Sequence, residues 1–70
     1  MSMRSNVELF VVAKDRPMDP PGPPSRREIE ARTRDGLREA LRVELEAEGY
    51  VVRAISFAPA GLVAYAEARS

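Results

Sequence analysis

Five of the chain's six prolines stand between residues 16 and 27, in the stretch RPMDPPGPPSRR. Proline lacks a backbone N–H and fixes φ, so neither a helix interior nor a central strand can run through it. The seventy-residue chain is therefore cut in two. The N-terminal piece has room for one element, and the rest of the fold must come from residue 25 onward. The stretch itself has two readings. Pro21-Gly22-Pro23-Pro24-Ser25-Arg26 fits the PxxPxR pattern that SH3 domains bind as a polyproline II helix. The alternative is a stiff connector over 15–24, which delivers the chain in an extended path to the next element. The connector accounts for more of the residues.

Before the prolines, NVELFVVAK (6–14) is short and rich in β-branched and aromatic residues, which predicts a strand. Residues 1–5 are expected to be a flexible N-terminus. After the prolines, SRREIEARTRDGLREALRVELEAEG predicts a helix over 25–48. Ser25 and Glu28 have the spacing of a capping box. Ile29, Thr33, Gly36, Leu37, Ala40, Val43 and Ala47 recur at three- and four-residue intervals, as one apolar face would. Gly49 suits the left-handed residue that ends a helix. YVVRAISF (50–57) and LVAYAEA (62–68) predict two more strands, joined by a hairpin turn at APAG (58–61). The expected fold is α+β: a single β-α-β-β domain over 1–70, with a three-stranded, mainly antiparallel sheet and one long helix packed on one face.

Composition removes most chemistry. There are no cysteines and no histidines. Disulfides, zinc-finger spacings and Ser–His or Cys–His catalysis all lack their parts. The four glycines form neither GxGxxG nor a P-loop pattern. Asp15 and Asp19, in the first loop, read as turn formers rather than as a catalytic pair. No catalytic residue, metal ligand or cofactor is expected, and the chain reads as a non-enzymatic protein. In element order it resembles dodecin, a small flavin binder, and in size the small subunits of the tautomerase superfamily. It has no tryptophan to stack on a flavin, and reads Met1-Ser2-Met3 where the tautomerases carry an N-terminal proline base.

Eleven basic and eleven acidic residues cancel, so no global field draws the chain to nucleic acid or to an anionic membrane. No apolar run has the length of a membrane span or the form of a signal peptide. A cytoplasmic protein is expected. Ten of the eleven basic residues are arginine, a bias associated with GC-rich bacterial genomes.

The strands are apolar on both sides, and this points to a partner. With strict alternation, Val7, Leu9, Val11 and Ala13 share a face with Tyr50, Val52 and Ala54 and with Leu62, Ala64 and Ala66. The helix would cover that face. Phe10, Val12, Arg53, Ile55, Phe57, Val63 and Tyr65 would then lie on the other side, uncovered. Contiguous apolar patches of that size usually mark interfaces. The chain is therefore expected to associate with itself through this outer face or through a sheet edge, as a homodimer or a larger assembly, alone or as part of a larger protein complex. Two alternatives stand beside that reading. Arg27, Arg34, Arg38 and Arg42 near one helix ridge, or Arg53 beside the sheet aromatics, could contact nucleic acid. A small ligand, or an enzymatic site, could sit between subunits.

Overall fold

The computed structural model describes residues 2–12 and 22–68. It contains β1 (Met3–Val12), β2 (Ser25–Ala31), α1 (Arg34–Ala47), β3 (Tyr50–Ala58) and β4 (Gly61–Ala68). The order is thus β-β-α-β-β, and the sheet has four strands in the order β2-β1-β4-β3. β1 pairs antiparallel with β2 and parallel with β4, and β3 pairs antiparallel with β4. The expectation of a three-stranded, mainly antiparallel sheet is therefore corrected: there is a fourth strand, and the two central strands run parallel. α1 links the two edge strands across one face. Residues 16–21, the first half of the proline stretch, lie outside the described residues, with Ala13, Lys14 and Asp15 before them; Asp19 is among those six.

The fourth strand comes from the segment expected to begin the helix. Ser25–Ala31 reads RREIEA after its serine, and this is also a period-two pattern. Arg27, Ile29 and Ala31 turn toward the helix, while Arg26, Glu28 and Glu30 turn away. Seven residues of β1, Met3 to Leu9, find partners in β2, and Met3 to Asn6 lie beyond the reach of β4. Pairing those backbone groups outweighs the helix propensity of arginine and glutamate, which amounts to only tenths of a kcal/mol per residue. The same pairing places Met3–Ser5 in β1.

With β2 removed, the helix starts nine residues later than expected. Thr33, not Ser25, is its N-cap, and its hydroxyl accepts a hydrogen bond from the Gly36 N–H at 2.9 Å. Gly36 thus stands in the first turn, where a Cβ would meet the Thr33 hydroxyl at 2.9 Å. Gly49, at φ +95°, ends the helix with its N–H bonded to the Glu46 carbonyl at 3.0 Å. The stripe read from Ile29 onward is also displaced. Leu37, Leu41 and Leu45 form the buried ridge, whereas Val43 is 52% exposed.

The core lies between this ridge and one face of the sheet, with Val7, Leu9, Ile55, Leu62, Ala64 and Ala66 opposite the leucines. Ala64 and Ala66 of β4 are fully buried beneath the helix. No helix among the described residues is long and apolar enough to cross a membrane.

Candidate interface on the open sheet face

Among the described residues, no layer lies over the second face of the sheet. Phe10 of β1 and Tyr65 of β4 are register partners and stack, with ring centroids 5.2 Å apart and planes 17° from parallel. That offset geometry is the favourable one for two aromatic rings. Val12 and Val63 flank the stack half-buried, while Val51 and Tyr65 itself are 41% and 44% exposed. Arg53 donates to Glu67 beside the stack, and Arg4 donates to Glu30 at 3.2 Å at the far corner.

Two of the residues expected on this face are not there. Val52 faces Ala66 and Ala54 faces Tyr65, so Arg53 is an extra residue in β3, a β-bulge. Beyond it the alternation is inverted, because an added residue shifts every later side chain to the opposite face. Ile55 then falls opposite Ala64 and Phe57 opposite Leu62, both on the helix side. Ile55 is 7% exposed within the core, and Phe57 packs against it half-buried under the Arg34 guanidinium, 4.3 Å from the ring centroid. Ala54, expected inside, faces out instead. The structure therefore brings together Phe10, Val12, Arg53, Val63 and Tyr65 and separates Ile55 and Phe57 from them. Val51, the further apolar residue of this face, was legible as an alternating neighbour of Arg53 in sequence.

Below the stack, toward the β3–β4 turn, the same face dips into a cavity of about 500 Å³. Asn6 and Glu8 of β1, Arg26 and Glu28 of β2, and Ala58 and Val63 of the β3–β4 hairpin surround it. Gly61 is what brings the hairpin so near β1. At φ +142° its α-carbon lies where any Cβ would overlap the Asn6 carbonyl oxygen.

The arginines proposed as phosphate contacts are mostly held by neighbours. Arg27 projects from β2 to the end of the helix, donating to both oxygens of Glu48 at 2.6 and 3.0 Å, with Glu44 at 3.5 Å. The Arg27 hydrogen bond holds the Glu48 carboxyl below its ordinary range. Arg42 donates to Glu39 and, at 2.8 Å, to Glu46, and lowers the Glu39 carboxyl likewise. Arg34 covers Phe57, and Arg53 holds Glu67. Of the five, only Arg38 has no charged or aromatic partner among the described residues. The arginines are also divided between the helix side and the open face, so they form no single basic surface.

No protein-family model matches this chain, and no curated protein or solved structure is significantly similar to it.

Proposed function

We propose that this protein is a small, non-enzymatic interaction module that associates with a second copy of itself through the open face of its sheet. The observation that carries this reading is the stacked Phe10–Tyr65 pair, flanked by Val12, Val51 and Val63, on a face opposite the helix. Each large apolar side chain moved from water into a packed interface contributes roughly 1.5–3 kcal/mol. Paired strands lie about 4.8 Å apart and rise about 3.3 Å per residue, so this four-stranded face measures roughly 500 Å² in plan, below the roughly 800 Å² that a standard interface takes from each partner and within the range of a smaller, weaker contact.

Charge favours a second copy over nucleic acid. Arg4, Arg26 and Arg53 on this face are set against Glu8, Glu28, Glu30 and Glu67, so the face is near neutral, any repulsion between two such faces is small, and neither attracts a polyanion. The edges are less suited to association than the face. β3 carries the bulge at Arg53, and β2 presents alternating charges, both of which discourage added strands. We place the protein in the cytoplasm, where a chain with no cysteine needs no oxidising compartment to fold.

Light scattering after size exclusion tests the reading. A mass at a stable multiple of 7.8 kDa, little changed between low and high salt, is the expected result. A 7.8 kDa monomer at every concentration would refute it. Binding to a mixed-sequence RNA that weakens steeply with salt would instead favour nucleic acid.

A further inference from the structure

β2 is the least anchored element of the fold. None of its seven residues is buried: Arg27, Ile29 and Ala31 are half-buried and the other four are exposed. Every other element places at least one residue in the buried core, including β3 at the opposite edge, which contributes Ile55. β2 pairs with one strand only, through Met3–Leu9 of β1, and Met3–Asn6 in turn have no partner on β4. Its apolar contribution comes from Ile29 and Ala31, which pack against the core without entering it. Among the described residues, one polar tie reaches from β2 beyond β1. The Arg27 guanidinium donates to both oxygens of Glu48, at 2.6 and 3.0 Å, and lies 3.5 Å from Glu44. A two-pronged contact of this kind is the stronger form of ion pair. It joins β2 to the C-terminal end of α1, which Leu45 holds in the core.

We infer that β2 and Met3–Asn6 form a separately opening unit, with the Arg27–Glu48 clamp as its latch. When the latch releases, β2 leaves β1 and the backbone edge of Met3–Leu9 is uncovered, while α1, β3, β4 and the rest of β1 keep their core. Parts of a protein open at a free energy set by the buried contacts they give up. An element that withdraws two half-buried apolar side chains therefore opens more readily than one that carries a leucine or an isoleucine out of the core. The two segments open together, because Met3–Asn6 have their backbone partners only in β2. The other charged pair between these strands resists opening less than the clamp does. Arg4 and Glu30 have side chains 66% and 51% exposed, whereas that of Arg27 is 24% exposed. An uncovered strand edge accepts a strand from another molecule. The latch thus governs whether β1 can be paired from outside. Nothing in this opening requires association through the open face.

Amide hydrogen exchange of the full chain, followed residue by residue by NMR, tests the latch. The amides that bond across the β1–β2 ladder, in Met3–Asn6 and Ser25–Ala31, should show one common degree of protection. They should exchange roughly tenfold or more faster than the amides of Leu41 and Ala64 in the core. Arg27→Met keeps the apolar stem and removes the guanidinium. It should speed exchange in those two segments by about three- to fivefold and leave the core amides unchanged. Arg42→Met removes ion pairs to Glu39 and Glu46 that lie wholly within α1, and should leave β2 unchanged. Exchange of the ladder amides at the core rate in the native protein would overturn the inference, because β2 would then open only with the whole fold. An Arg27→Met protein that fails to fold, or in which all amides speed up alike, would overturn it too. So would an equal response of β2 to Arg42→Met.

Discussion

On the helix side of the sheet, Val7, Leu9, Leu62, Ala64 and Ala66 are each at most 1% exposed; on the other side, Tyr65 and Val51 remain 44% and 41% exposed. The same strands supply both sets, one residue apart in sequence. The side chains differ accordingly. The covered face is smooth, with alanines under a leucine ridge, whereas the open face bears an aromatic stack, a recess and opposed charges. A 14-residue helix is about 21 Å long and covers one face only. Among the described residues no second layer covers the other face, so its apolar groups are not buried by the elements described. One face is built for folding, and the other is the face on which association is proposed.

Substitutions that separate folding from association sharpen that contrast. The largest expected effect is Leu41→Ala, because Leu41 is 0% exposed between α1 and the sheet. A loss of about 2–5 kcal/mol is expected, measured by urea denaturation, and a domain this small should be largely unfolded by it. Ile55→Asp should also unfold the protein rather than split it into folded monomers. A folded, monomeric Ile55→Asp protein would contradict the inversion of β3 at the bulge.

Tyr65→Asp should do the reverse. Removal of a central interface aromatic typically costs 2 kcal/mol or more, or about 30-fold in dissociation constant. The expected outcome by light scattering is dissociation, with far-ultraviolet circular dichroism unchanged. Gly61→Ala tests the hairpin that borders the recess. The positive φ and the overlap with the Asn6 carbonyl should cost roughly 1–3 kcal/mol of stability, seen as a lower Tm. Arg34→Ala removes the cation over Phe57 and should cost only about 0.5 kcal/mol, an effect confined to the helix side.

The smallest expected effect is that of pH. Glu48 is held below its ordinary value of 4.5 by the Arg27 hydrogen bond. The unfolded chain therefore binds a proton at higher pH than the folded one does. The pair's stabilisation is present above that ordinary value and is lost as pH falls through the depressed folded-state value. Melting temperatures measured from about pH 6 down to about pH 3 should fall less steeply for Glu48→Gln than for the native protein. An identical slope in both would mean that the exposed pair contributes nothing to stability.

Much of the candidate site could be read from residue patterns. Phe10, Val12, Val63 and Tyr65 lie in strands with unbroken alternation, and one face of each is assigned once a neighbour is known to be buried. Ile55 and Phe57 could not be placed that way. The bulge at Arg53 leaves no mark in YVVRAISF, which reads equally well with continuous alternation. The fate of residues 25–31 was no more legible. SRREIEA satisfies a capping box and a helical charge pattern as well as it satisfies a two-residue period, and local propensity separates these by too little to decide. The choice falls to Met3–Asn6, whose backbone groups have no partner on β4 and find one only in β2.

By itself, then, the sequence determined the break at the prolines, the presence of one helix closed by Gly49, the paired strands after it, and strands apolar on both sides. Only the tertiary structure decided that the segment after the prolines is a strand, that β1 and β4 run parallel at the centre, and which side of the sheet the second half of β3 faces. The physical reason is common to all three. Each depends on which distant backbone groups must find hydrogen-bond partners, and that demand comes from strand pairing between residues far apart in the chain, which no local pattern encodes.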